Sequence, residues 1–173
     1  MKKIYLAGGC FWGVEHYFSL INGILKHDVG YANSNIANPS YQDVCKGLST
    51  ASETVELEYD EEVIDLSKVL KYYFRIIDPT SLNKQGHDEG IQYRTGIYYV
   101  DDNDLLIIKE AINELQSAYT SPILVEVMKL NNFYKAEEYH QAYLYKNVNG
   151  YCHLPLSIFD EVKKENEVID FKG

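Results

Sequence analysis

Three glycines, a thiol and two large aromatic rings crowd into Ala7-Gly8-Gly9-Cys10-Phe11-Trp12-Gly13, directly behind a short apolar run. A cysteine that merely fills a core needs no glycines beside it. A nucleophile benefits from them, because glycine permits backbone angles closed to other residues and leaves space for a substrate. If the chain turns from strand to helix at Cys10, the free amides of the first helical turn face the sulfur and favour its thiolate. Trp12, the only tryptophan of the chain, offers a flat apolar wall to a methyl or thioether group. The residues alone leave two readings of Cys10, a nucleophile or a small hydrophobe in a tight bend. Phe11 and Trp12 likewise read either as pocket walls or as core rings.

The other two cysteines, Cys45 and Cys152, form no CxxC pair, and three thiols at irregular spacing are not a secreted disulfide framework. His16, His27, His87 and His153 lack the spacing of metal ligands. Neither a metal nor an organic cofactor is therefore expected.

The elements that must position Cys10 follow from periodicity. Ile4 to Gly8 reads as a strand entering the glycine turn, and Val14, Tyr17, Phe18 and Ile21 carry helical spacing up to Asn22-Gly23. Ile24 to Ala32 is a strand, followed by a polar loop to Ser40. Thr54 to Tyr59 alternates Val55, Leu57 and Tyr59 with Glu56 and Glu58, a half-buried strand. A helix opens at Asp65 and runs through Phe74. The Thr80 to Gln92 loop is long for an idle connection. Thr95 to Val100 is a strand, Asp104 to Tyr119 a helix, Ile123 to Lys129 a strand and Tyr134 to Tyr145 a short helix, with an irregular, charge-rich C-terminal tail beyond.

This order contains a split β-α-β core. It predicts an α/β fold, a single-domain two-layer sandwich whose mixed sheet carries helices mainly on one face. Residues 1–156 form the expected catalytic domain, and 157–173 a charged tail of the same domain or a linker. With 173 residues, 46% of them hydrophobic and 24% charged, the chain can bury a real core. Its net charge of −10 without a basic stripe argues against a nucleic-acid partner. No apolar run reaches membrane-spanning length, and Met1-Lys2-Lys3-Ile4 enters a strand with no signal-peptide pattern. A cytoplasmic monomer is expected.

Gly9-Cys10-Phe11-Trp12-Gly13 resembles the signature of the A-class peptide methionine sulfoxide reductases. The similarity continues through Asn38-Pro39-Ser40-Tyr41, through Asp78-Pro79-Thr80-Ser81-Leu82-Asn83-Lys84-Gln85-Gly86 and through Gly90-Ile91-Gln92-Tyr93-Arg94. Towards the C-terminus it includes Phe133 to Gln141 and Asn149-Gly150-Tyr151-Cys152. The resemblance implies reduction of methionine-S-sulfoxide in oxidised proteins and peptides. It makes Cys10 the nucleophile, left as a sulfenic acid after oxygen transfer, and Cys152 the resolving thiol that closes a disulfide with it. Phe11 and Trp12 become the methyl pocket, Tyr41 and Tyr93 hydrogen-bond donors to the sulfoxide oxygen, Glu53 its proton donor, and Asp88 part of the surrounding polar network. Thioredoxin is the implied reductant, taking the disulfide directly because no further cysteine follows Cys152. The chain departs from the family pattern before Glu53, where Thr50-Ala51-Ser52 replaces the usual Gly-His-Ala. Cys45 is expected to be structural, and His140 stays outside the expected core site. The competing readings are a cysteine hydrolase, which needs a base on the thiol, and a non-enzymatic thiol redox sensor.

Overall fold

Alternation along the first strand decides which way the sheet faces. In β1 (Lys2–Ala7), Ile4 and Leu6 join the main core, whereas Tyr5 and Ala7 point to the opposite face and meet Ala32 and Tyr98. The computed structural model describes the backbone of residues 1–172 and the side chains of residues 1–167.

The remaining elements are α1 (Phe11–Ser19), β2 (Ile24–Ala32), α2 (Tyr41–Cys45), β3 (Ser52–Tyr59), α3 (Leu66–Phe74), β4 (Lys84–Gln85) and β5 (Asp88–Glu89). They continue with β6 (Gly96–Tyr99), α4 (Asp104–Gln116), β7 (Glu126–Lys129), β8 (Phe133–Lys135), α5 (Tyr143–Lys146) and α6 (Leu156–Lys172). The main sheet has the order β7-β6-β1-β3-β2-β8. Its four central strands are antiparallel and realise the split β-α-β arrangement twice over. One edge adds β7, parallel to β6, and the other adds β8, antiparallel to β2. This is the mixed-sheet, two-layer α/β architecture that periodicity predicts.

The helices gather on one face. Val14, Tyr17 and Phe18 of α1, Val69, Leu70 and Tyr73 of α3, and Ile108 of α4 meet Ile4, Leu6, Val55 and Leu57 in one cluster. Asp65 caps α3 by accepting the Lys68 amide at 2.9 Å. From α3 the Tyr73 hydroxyl reaches back to the Ala7 carbonyl at 2.5 Å, and accepts the Gly96 amide at 3.2 Å. That clamp pins the end of β1 where the glycine turn begins.

Two expectations need correction. The Tyr134–Tyr145 segment is not one helix: it starts in edge strand β8, tightens into a 3₁₀ turn at Glu138–His140, and only then forms α5. The aromatic spacing there reflects a strand and a turn packing on the site, not a helical face. The tail is not irregular, since α6 begins at Leu156. Phe159 and Val162 enter the main core, and burying such side chains is worth roughly 1.5–3 kcal/mol each. Asn166 also holds the Asn22 amide at 2.7 Å, tying α6 to the end of α1. Side chains past residue 167 and the expected last residue, Gly173, lie outside the described residues. Just past the expected polar loop, where periodicity assigns no element, lies the one-turn helix α2, with a reciprocal capping box between Ser40 and Asp43. Among the described residues, no helix is long and apolar enough to cross a membrane.

Candidate active site

Cys10 sits at the junction of β1 and α1, as the sequence predicts, and is 6% exposed. Gly9 has φ +83°, a left-handed angle that disfavours any side chain. The amides at this helix N-terminus are not free to serve the sulfur alone. Cys10 donates its N–H to Asp88 Oδ2 at 3.3 Å, and Phe11 donates its own to Glu53 Oε1 at 3.2 Å. Two acidic side chains therefore satisfy the opening of α1, where orphan amides and the helix dipole attract negative charge.

The thiol answers to competing influences. Burial, then the nearby acids Glu53 and Asp88 together with Cys152, raise its pKa well above the ordinary thiol range, while only the Trp12 amide draws it down. At rest the sulfur is protonated. The expected helix-terminus effect is present but is overridden by desolvation.

Glu53 is the second group here whose state is set by burial. On β3 it occupies the same face as Val55, Leu57 and Tyr59, so a carboxyl ends an otherwise apolar row directed at the helices. The strand is central, paired with β1 and β2, and Glu53 is 1% exposed. Its Oε2 has no hydrogen-bond partner. Burial pushes the Glu53 pKa up to about 8, with the Phe11 amide opposing and Asp88 adding to the rise. At pH 7 this is a protonated acid, and Oε2 is the oxygen left to donate.

Tyr41, the first residue of α2, and Tyr93, in the 3₁₀ turn Ile91–Tyr93, are both half-buried against the main core. Desolvation raises both hydroxyl pKa values, with Glu53 contributing to each and Asp88 and Cys10 to Tyr93. Both hydroxyls stay protonated and able to donate. The long central loop is built rather than idle. Gln85 locks its base by accepting the Asp78 amide at 2.8 Å, and the β4-β5 hairpin presents Asp88.

Cys152 already lies on α1. A β-carbon built on Gly13 would come within 2.9 Å of its sulfur, so glycine at this helical position allows the two thiol-bearing segments to touch. Both thiols are free. Asp88 binds residues on each side of Cys152: it accepts the Tyr151 hydroxyl at 2.6 Å and faces His153 Nδ1 at 3.6 Å. The same carboxyl that holds the Cys10 amide thus holds the loop carrying the second thiol. Asp88 does more here than motif similarity implied.

Trp12 is partly buried, stacked on Tyr143 at 3.8 Å and 11°, and donates its indole N–H to His140 Nδ1 at 3.0 Å. Phe11 is fully buried between Tyr31 and His140. Glu137 joins Tyr31, whose hydroxyl it accepts at 2.8 Å, to the Tyr41 amide at 3.0 Å. All eight expected site residues thus gather around the Cys10 turn. Sequence reasoning missed Tyr31, Glu137, Tyr151 and His153, and it set His140 aside. Glu137 and Tyr151 carried a signal, since both lie in stretches that resemble the family, Phe133 to Gln141 and Asn149-Gly150-Tyr151-Cys152. Cys45 is exposed, one turn beyond Tyr41, and not a core residue. No histidine is hydrogen-bonded to Cys10 among the described residues, so the base a cysteine hydrolase needs is not in place.

The family model described as peptide methionine sulfoxide reductase matches residues 2–170. Peptide methionine sulfoxide reductase MsrA of Lachnoclostridium phytofermentans is 56% identical over 162 residues, covering 94% of this chain and 98% of that protein. The crystal structure of reduced Mxr1 from Saccharomyces cerevisiae superposes with a TM-score of 0.83 at 40% identity, covering 87% of this chain and 88% of the other. The same yeast protein solved in complex with Trx2 matches with a TM-score of 0.60 at 30% identity, covering 82% and 84%. With the whole strand-to-helix site inside the matched region, the chain belongs to the A class of the peptide methionine sulfoxide reductase family.

Proposed function

We propose that Cys10 and Glu53 act as a thiol–acid pair, the sulfur attacking the sulfoxide sulfur while the carboxyl protonates its oxygen. The overall activity, thiol-dependent reduction of methionine-S-sulfoxide to methionine, follows from family membership. The observation that carries the division of roles is Glu53: buried, protonated at neutral pH, held by the amide next to Cys10, with one oxygen unpartnered.

A sulfoxide oxygen leaves poorly unless protonated, and a positioned acid with a pKa near the working pH serves that step best. Tyr41 and Tyr93 donate to the same oxygen, and Phe11 and Trp12 enclose the S-methyl group. The protons balance. Glu53 gives one to the oxygen and regains the one the Cys10 thiol loses, the oxygen leaves the substrate sulfur for the Cys10 sulfur, and the products are methionine and the Cys10 sulfenic acid. Cys152 then attacks that sulfur, a Cys10–Cys152 disulfide forms, and the hydroxyl leaves as water. Asp88 keeps the two segments together throughout. Thioredoxin returns the enzyme to the dithiol by exchange with the exposed side of this disulfide, a step supported by the Trx2 complex of the yeast relative.

The catalytic parts lie within residues 1–156, and Phe159, Val162 and Asn166 of α6 brace α1 and the turn after it without entering the chemistry. Oxidised proteins and peptides are the substrates, acted on by a cytoplasmic monomer. The test is single-turnover reduction of an S-sulfoxide peptide followed by mass spectrometry of the protein. The reading predicts one equivalent of methionine and a peptide pair joined through Cys10 and Cys152. Methionine formed with Cys10 unmodified would overturn it.

A further inference from the structure

We propose that His140 is a positioning residue, its neutral Nδ1 accepting the Trp12 indole N–H and so setting the in-plane orientation of the ring that walls the sulfoxide's methyl pocket. This rests on the reading of Trp12 as that wall. Three observations carry it. The contact is a direct 3.0 Å hydrogen bond to a residue only 1% exposed. A face of the indole is stacked on Tyr143 while the hydrogen bond holds its edge, so stacking fixes its tilt and leaves rotation within the stack to the hydrogen bond. The imidazole also packs against Phe11, Tyr41 and Tyr139, with ring centroids 5.3, 4.6 and 4.0 Å away. One ring thus touches three of the expected site residues.

The bond dictates the tautomer. Nδ1 must keep its lone pair, which places the proton on Nε2, a buried atom without a partner. The titratable groups facing the ring are Glu137, Tyr41 and Tyr139. Glu137 favours the imidazolium, but burial outweighs it and lowers the His140 pKa. Tyr41 and Tyr139 stay protonated. In acid the imidazolium becomes a second donor facing the indole N–H, and the ring is released.

Because Trp12 is the only tryptophan, its indole ¹H–¹⁵N resonance reports on this contact in the intact chain without substrate. His140→Leu should shift that resonance and raise KM for an S-sulfoxide peptide about 10-fold, the scale of an unmade buried hydrogen bond. Its kcat should stay within about twofold, since a pocket wall contributes to binding in ground and transition states alike. His140→Asn, whose Oδ1 can stand in for Nδ1, should restore both. The wild-type resonance should titrate with a midpoint below the usual histidine range. That titration should vanish in His140→Asn and survive in His16→Gln, the histidine one turn along α1. An unshifted resonance in His140→Leu, a titration persisting in His140→Asn, or equal KM losses in both variants would overturn the proposal. Should His140→Leu fail to fold, the titration of wild type against His140→Asn decides alone. A Trp12→Ala enzyme with unchanged KM would instead remove the methyl-wall reading, while leaving the resonance test of the contact intact.

Discussion

Replacing Glu53 with Gln should make the protein more stable and far less active, with a gain in stability that depends on pH. Burial lifts the carboxyl from its usual 4.5 to about 8 in the folded protein. The folded state therefore binds this proton more tightly than the unfolded chain does. The contribution of Glu53 to stability is fullest below about pH 4.5 and is lost as pH rises toward about 8. At pH 7 the loss spans roughly 2.5 pH units, or about 3 kcal/mol at 1.36 kcal/mol per unit. At pH 5 it falls to about 1 kcal/mol. Gln keeps the shape and cannot ionise, so it escapes the whole loss. For a chain of this size about 3 kcal/mol corresponds to roughly 6–12 °C in Tm. Thermal unfolding of both proteins at pH 5 and pH 7 gives the result directly: the Tm advantage of the variant should grow between the two values. Its kcat should fall about 10²-fold or more, the usual contribution of a general acid. A Tm difference constant across this range would show that Glu53 titrates as an ordinary carboxyl, and the proton-donor argument would fail with it.

Cys152→Ser should complete about one turnover and accumulate the Cys10 sulfenic acid, trapped by dimedone, yet fail to cycle with thioredoxin; undiminished cycling would remove Cys152 from the relay. Gly13→Ala separates stability from chemistry. Helix propensity favours alanine by about 1 kcal/mol, which offsets part of the crowding its methyl makes against the Cys152 sulfur, so Tm should change little while disulfide formation slows in quenched-flow thiol counting. Cys45→Ser should leave kcat within about twofold, because Cys45 is exposed and the serine hydroxyl can keep its hydrogen bond with Tyr41; a collapse as deep as that of Cys10→Ser would place it in the mechanism.

Much of the fold was legible because it is written in local periodicity. The alternation of Ile4, Tyr5, Leu6 and Ala7, the helical spacing from Val14 to Ile21, and the run through Val69, Leu70 and Tyr73 each match their elements. Even the burial of Glu53 was readable, since Val55, Leu57 and Tyr59 set a parity that passes through position 53. β8 was missed because three residues of edge strand carry too short a pattern to outweigh the aromatics after them. α6 was missed because a charge-rich surface with a few inward residues, Phe159, Val162 and Asn166, looks like a solvated tail until α1 is there to receive it.

The sequence by itself determined the strand-to-helix turn at Cys10, the type of most elements and, through motif similarity, the reaction. Only the tertiary structure decided that Asp88 binds the Cys10 amide, Tyr151 and the neighbourhood of His153 together, that Trp12 rests on His140, and that the helix terminus loses to burial in setting the state of the thiol. The physical reason is that element type depends on neighbours within a few residues. A pKa or a hydrogen-bond partner depends instead on which distant segments exclude water from the same few ångströms.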